Sequence, residues 1–307
     1  MVCQAAADAA YTMMTQSFGN PSSTHSAGRA AKKALDTARK QVSTALGCKS
    51  EELYFTSCGS ESDNWAIVRG AHSMSKKGKH VISSTVEHDA VRKSLDELER
   101  QGFEVTRLHP EADGSISVDA VRNALRKDTI LVSLMMVNNE TGARMDVPAI
   151  VARVRRVAPQ ALIHTDAVQA YGKMPINAQK LGVDMLTASG HKIHAPKGIG
   201  FLYKNQKCHI APFIVGGGQE KGMRSGTECV PLIAALHGAV EELPNPQSHL
   251  LKMREIYNYA KEKITLEYGE SFKDEGAKAA LVGKWHLKNG KELEVSAQGA
   301  VDEKKLG

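Results

Sequence analysis

What most constrains this chain is an alternation of short apolar runs with amphipathic stretches, sustained from about residue 25 to residue 204. Between His25 and Gly47 the residues Ala31, Leu35, Ala38, Val42 and Leu46 recur at steps of three or four, which predicts a helix closed by a glycine. ELYFT (52–56), HVISS (80–84), FEVTRL (103–108), ALIHTD (161–166), DMLTAS (184–189) and GFLYK (200–204) read as strands. TILVSLMMV (129–137) is a nearly continuous apolar run, as expected of a strand covered on both faces. Helical spacing separates these runs: near Ser60 with Trp65, Val68 and Ala71, then Val91 to Leu98, Val118 to Leu125, and Ile150 to Val157. Strands linked through helices pair in parallel by right-handed crossovers, so the expected class is α/β with a mainly parallel sheet. Ligands of such sheets sit beyond the carboxyl ends of the strands, and those ends are where function is sought.

Composition narrows the ligand class. The length of 307 residues fits one large α/β unit or two domains. No apolar run approaches the roughly 18 residues of a membrane helix, and the first residues carry no basic-then-apolar leader pattern. The net charge of +6 comes from basic residues interleaved with acids along helices, and aromatic residues make up 5%. A nucleic-acid groove needs a denser basic stripe with interleaved aromatics, so neither nucleic acid nor membrane is an expected partner. The five cysteines (Cys3, Cys48, Cys58, Cys208, Cys229) are widely spaced with no CxxC, which argues against disulfides or a metal site and for a reducing, cytoplasmic setting. After Leu243 the texture changes. PNPQSH reads as a linker, Leu251 to Tyr268 as a charged helix, and WHLKNGKEL as a hairpin around Asn289-Gly290.

The strand ends carry the chemistry. SGHKIHAPKG puts Lys192 just past a strand, where a lysine shielded from water forms a Schiff base with an aldehyde cofactor; its ordinary role is a solvated surface charge. HTDAVQ ends a strand on Asp166, a carboxylate that is costly to bury without a cation; the protonated ring nitrogen of pyridoxal phosphate is one candidate, and capping of a following helix is the plainer role. Gln169, three residues on, could donate to the phenolic oxygen of that ring. FTSCGSESDN sets Gly59 and Ser60 at a helix start, suited to an anion or to a cap paired with Asp63. His88 in STVEHDAV could stack on a planar cofactor and move protons, or cap a helix. Asn138 and Asn139 could bond a ligand or shape a turn. GGGQEKGMRSGTE brings Arg224 and Thr227 to a glycine-rich loop where they could meet an anion.

Taken in order, GNPSSTHSAGR, FTSCGSESDN, EHDAV, VNNETG, HTDAVQ, SGHKIHAPKG and GGGQEKGMRSGTE resemble the motifs of cysteine desulfurases of the NifS/IscS type, which belong to the class V aminotransferase group of fold-type I pyridoxal-phosphate enzymes. The resemblance runs from about Phe18 to about Leu243. It implies a three-layer cofactor domain over residues 18–243, a small-domain segment over 1–17, and a truncated or atypical C-terminal segment over 244–307. It implies that Lys192 holds pyridoxal 5'-phosphate, that His88 stacks on it and assists proton transfer, and that Asp166 faces the ring nitrogen. Gln169 and Asn139 would bond the phenolic oxygen side. Gly59, Ser60, Ser189 and His191 would hold the phosphate, and Thr227 would reach it across a homodimer interface. The family's commoner residue at Ser60 is threonine, which keeps the hydroxyl. The implied reaction converts L-cysteine to L-alanine and passes sulfur as a persulfide to an iron–sulfur scaffold or another acceptor. Two departures are visible: no LDNAATT-like segment precedes FGNPSS, and no cysteine follows Cys229, although the family's nucleophile lies well past RSGT. A cofactor-binding dimer without that nucleophile, or a lyase or aminotransferase on the same fold, are the alternatives.

Overall fold

The computed structural model describes residues 1–268, 283–286 and 292–295. In chain order the elements are helices α1 (Gln4–Thr15) and α2 (Ser26–Leu46), strand β1 (Leu53–Thr56), and α3 (Gly59–Asn64), which runs through a π-turn (Trp65–Arg69) into α4 (Gly70–Met74). Then follow β2 (His80–Ser84), α5 (Asp89–Arg100), β3 (Glu104–Leu108), α6 (Val118–Ala124), β4 (Thr129–Ser133) and α7 (Val147–Val157). β5 (Leu162–Asp166), α8 (Ala178–Leu181), β6 (Met185–Ser189), β7 (Gly200–Lys204), α9 (Val230–Glu241), α10 (Pro246–Tyr268) and the antiparallel pair β8 (Gly283–His286) and β9 (Glu292–Val295) complete the series.

Seven strands form one sheet in the order β1-β7-β6-β5-β4-β2-β3. Only β7 runs against its neighbours; the other pairings are parallel, as the helix-linked strands require. Alternating side chains bury both faces. Leu53, Phe55, Ile163 and Phe201 pack under α2, α7 and α9, while Tyr54, Leu162, Met185 and Leu202 pack under the α3–α4 helix and α5. The result is a three-layer α/β/α sandwich, the expected class. Helix α1 lies on α9 so closely that a Cβ at Gly238 would come 2.8 Å from the Ala5 carbonyl oxygen.

Three boundaries differ from expectation for identifiable reasons. The 129–137 strand stops at Ser133, because β2 has ended at Ser84 and the Met135 amide donates to the Glu87 carboxylate instead of to a neighbouring strand. Its far side keeps pairing with β5, Leu134 N–H to His164 and Met136 N–H to Asp166. The expected linker at PNPQSH is shorter, since Asn245 accepts the amides of Gln247 and Ser248 and Pro246 opens α10 at the first helical position, where a missing N–H costs nothing. Asp63 is not a cap: the α3 N-cap is Cys58, and Asp63 is buried beneath the sheet face. The expected Asn289-Gly290 turn lies outside the described residues.

Candidate active site

The carboxyl ends of β5 and β6 lie side by side, with Asp166 opposite Thr187 in register. Side chains two apart on a strand share a face, so His164 and Asp166 point the same way as Thr187 and Ser189, toward α3. Helix α3 begins at this point because Gly59 lacks a side chain. A Cβ there would meet Val168 Cγ2 at 2.9 Å and Ser189 Cβ at 3.5 Å. Gly200 permits the same approach from the other side: its Cβ would sit 2.8 Å from both the Ala188 oxygen and the Cys58 carbonyl carbon. The amides of Gly59 and Ser60 lie in the first turn of a helix and so have no partner within it.

Ser189 Oγ bonds His191 Nδ1 at 2.9 Å, tying the last residue of β6 to the 3₁₀ turn Gly190–Ile193 that carries Lys192. Gln169 accepts from Lys173 Nζ at 2.9 Å, and burial together with the nearby Lys192 charge pulls Lys173 down to about 8. Gly59, Ser60, Asp166, Gln169, Ser189, His191 and Lys192 therefore come together around the ends of β5 and β6. His88 joins them as the N-cap of α5, its Nδ1 accepting the Ala90 amide at 3.1 Å, so the capping role holds. Its charge is close enough to favour the ionised form of Asp166. Lys192 is not shielded from water as expected: in this single chain Lys192, His191 and His88 are exposed.

Asp166 is buried and, among the described residues, its Oδ1 accepts only the Val168 amide, at 2.8 Å; a turn rather than a helix follows it. Burial raises its pKa. Among the described residues no basic side chain comes within ion-pair distance of it. A buried carboxylate without a cation, next to unpaired helix-start amides and a lysine, fits a ligand that brings both a cationic ring nitrogen and a phosphate. Pyridoxal phosphate has that donor set.

Four expected ligand residues are elsewhere or otherwise engaged. Asn139 bonds its neighbour Glu140, while Asn138 shapes the turn: its Oδ1 accepts the amides of Glu140 and Thr141, and its Nδ2 holds the Val86 carbonyl at 2.8 Å. Thr227 is exposed in the single chain. Arg224 meets an anion, but an internal one, pairing with both oxygens of Glu61 at 2.7 and 3.1 Å. The sequence reading missed Glu87 and Lys173 and misassigned Asp63. Glu87 is held by Ser84 Oγ at 2.6 Å and the Met135 amide at 3.1 Å, and burial pushes it up to about 8. The four-residue step from Gln169 to Lys173 was the signal available for the lysine.

Among the thiols, burial pushes Cys48 and Cys208 up to about 12, which leaves them as packing residues; Cys58 is half-buried at the start of α3 and Cys229 exposed at the start of α9. All five are free.

Residues 1–269 match the family described as "Aminotransferase class-V". The chain is 46% identical over 246 residues to the "Cysteine desulfurase IscS" of Methanosarcina thermophila, covering 79% of this chain and 60% of that protein. It is 44% identical over 262 residues to the protein of the same name from Pasteurella multocida, covering 82% and 64%. The chain thus spans 60–64% of the length of these curated relatives. Among solved structures it superposes on a "NifS-like protein" with a TM-score of 0.82 at 34% identity, covering 86% of this chain and 73% of that one. A structure described as SspA in complex with cysteine gives 0.79 at 36% identity, covering 87% and 75%. DndA from Streptomyces lividans gives 0.78 at 33% identity, covering 98% and 79%.

Proposed function

The chain belongs to the aminotransferase class-V family, and from that premise we propose that it forms the cofactor-binding part of a pyridoxal-phosphate-dependent cysteine desulfurase. The substrate is L-cysteine, the products L-alanine and a persulfide sulfur passed on to an acceptor such as an iron–sulfur scaffold. The observation that carries this reading is Asp166, a buried carboxylate with no cationic partner among the described residues, at the β5 end next to β6, whose end adjoins Gly59 and leads into the turn that bears Lys192.

In this reading Lys192 Nζ holds the cofactor aldehyde, Asp166 holds the ring nitrogen, and the Gly59 and Ser60 amides with Ser189 and His191 hold the phosphate. Pyridoxal phosphate, when bound, supplies an electron-withdrawing ring that stabilises negative charge developing on the bound amino acid. The protein supplies the rest. Asp166 keeps the ring nitrogen charged. The Ser189–His191 bond orients the turn that carries Lys192. Lys173 fixes Gln169 by accepting nothing and donating to its Oε1, which leaves the Gln169 amide N–H groups to face the ligand. His88 Nδ1 accepts the helix-cap amide, so in the neutral ring Nε2 carries the hydrogen and is the atom available to donate a proton toward the ligand. The thiolate that receives sulfur is Cys58, Cys229 or a thiol outside this chain, since desolvation raises the thiol pKa of Cys3, Cys48 and Cys208.

A homodimer in a reducing, cytoplasmic setting completes this reading. It is supported by the exposure of Lys192, His88 and Thr227, by the exposed Ile214 and Val215 on the glycine-rich loop, and by five free cysteines. Purified protein is expected to take up pyridoxal phosphate with a visible absorption band that Lys192→Ala removes, and to release sulfide and alanine from L-cysteine given a thiol acceptor. A protein that stays colourless contradicts the cofactor assignment; pyruvate in place of alanine contradicts the reaction.

A further inference from the structure

The strand-end group leaves one ionisable side chain unused. Asp63, one turn into α3, is 1% exposed, and its Oδ1 has no hydrogen-bond partner among the described residues. It faces the two strands that present the site. His164 Nε2 on β5 lies 3.6 Å from that oxygen, and the Thr187 hydroxyl on β6 faces the same carboxyl. Asp166 is the register partner of Thr187 and the same-face neighbour of His164, so Asp63 and Asp166 stand one behind the other. The remaining groups that face Asp63 are Glu87, from the loop after β2, and the Cys58 thiol at the start of its own helix.

None of these neighbours is a cation. His164 cannot become one cheaply: Ser133 Oγ meets its Nδ1 at 2.9 Å, Thr187 Oγ1 meets its Nε2 at 3.0 Å, and burial pulls it down to about 3. Two buried carboxylates that share one space without a cation cannot both be ionised at moderate cost. The two are not equivalent either. Asp166 has an N–H bond from Val168 and the His88 charge favouring its anion, whereas Asp63 lies deeper, with the Asp166 charge against it.

Resting on the cofactor reading above, we propose that Asp63 is a positioning residue for Asp166: the buried pair carries a single negative charge, Asp63 retains the proton, and Asp166 alone presents an anion to the cationic ring of the cofactor. The second acid keeps the space behind Asp166 polar but uncharged, so the site's one anion stays at its open end.

The test compares Asp63→Asn, Asp166→Asn and the double variant in the full chain, first without cofactor. A group that keeps its proton when folded but loses it near pH 4 when unfolded makes the protein lose stability as pH rises above about 4. Asp63→Asn removes that loss. Its melting temperature is expected to match the parent's near pH 4 and to exceed it by about 2–4 °C at pH 8. The gain is expected to shrink when Asp166 is already Asn, because the opposing charge has gone. A parent-like or lower melting temperature at pH 8, or a gain the same in both backgrounds, overturns the proposal. In pyridoxal phosphate titrations Asp166→Asn is expected to weaken binding at least tenfold and Asp63→Asn less than threefold; equal weakening overturns the assignment of the charge to Asp166. A parent chain that takes up no pyridoxal phosphate contradicts the cofactor reading instead, and leaves the stability comparison to judge the carboxyl pair by itself.

Discussion

The ends of β4–β6 and the glycine-rich loop at 216–227 treat buried charge in opposite ways. In the loop, charges are paired within the chain. Glu220 is 4% exposed, takes a forked bond from Arg39 (2.9 Å for Nη1 to Oε2) and also accepts the Phe55 amide at 3.0 Å, while Arg39 reaches on to the Leu53 carbonyl at 2.8 Å. Arg224 and Glu61 pair in the same manner. These bonds hold Glu220 and Lys221 in left-handed backbone (φ 46° and 60°), which costs non-glycine residues about 1–2 kcal/mol each. At the strand ends, by contrast, Asp166, Asp63 and Glu87 are buried with no lysine or arginine within ion-pair reach among the described residues, and His164, 3.6 Å from Asp63, is kept neutral by burial. A folded chain tolerates unpaired buried polar groups chiefly where a ligand completes them, so paired charge marks the frame and unpaired charge marks the site.

The largest effect that would break this contrast lies in the loop. Arg39→Ala leaves Glu220 buried and alone, and should lower unfolding free energy by about 3–5 kcal/mol in a denaturant titration. A loss under about 1 kcal/mol would mean that the loop's pairing is incidental.

The strand ends should respond in the other direction. Glu87 has an ordinary value of 4.5 that burial moves to about 8. Because the folded state holds this proton more tightly, its contribution to stability is full below about pH 4.5 and is lost as pH rises through about 8. Glu87→Gln keeps an acceptor for the Met135 amide and carries no charge. It should flatten that decline, adding about 1–2 kcal/mol at pH 8.5 and little at pH 4.5, read from urea midpoints at the two pH values. A destabilised variant at pH 8.5 would place Glu87 with the frame. The smallest effect is Arg224→Gln: the arginine is 22% exposed, and the loss should be about 1 kcal/mol and shrink at high salt.

The same contrast explains what could be read from the sequence. Strand and helix order followed from apolar periodicity because each face of the sheet is buried, and β2 and β7 match the expected HVISS and GFLYK runs end to end. Asp166 and Ser189 stood out because they end such runs, and Lys192 because it follows one closely. Glu87 and Asp63 did not, since their burial depends on contacts with β4, β5 and β6 that no local spacing encodes. Nor could spacing reveal that Arg224 meets Glu61, 163 residues away. Lys192 was expected in a dry site and is exposed in the single chain, because the 3₁₀ turn after β6 carries it outward.

The most direct test of the strand-end site is to load the protein with pyridoxal phosphate, reduce it with borohydride and map the modified peptide. The account predicts a pyridoxyl group on Lys192, lost in Lys192→Ala. Labelling of Lys173, whose amine is the neighbouring one with a lowered pKa, or no site-specific labelling, would contradict it.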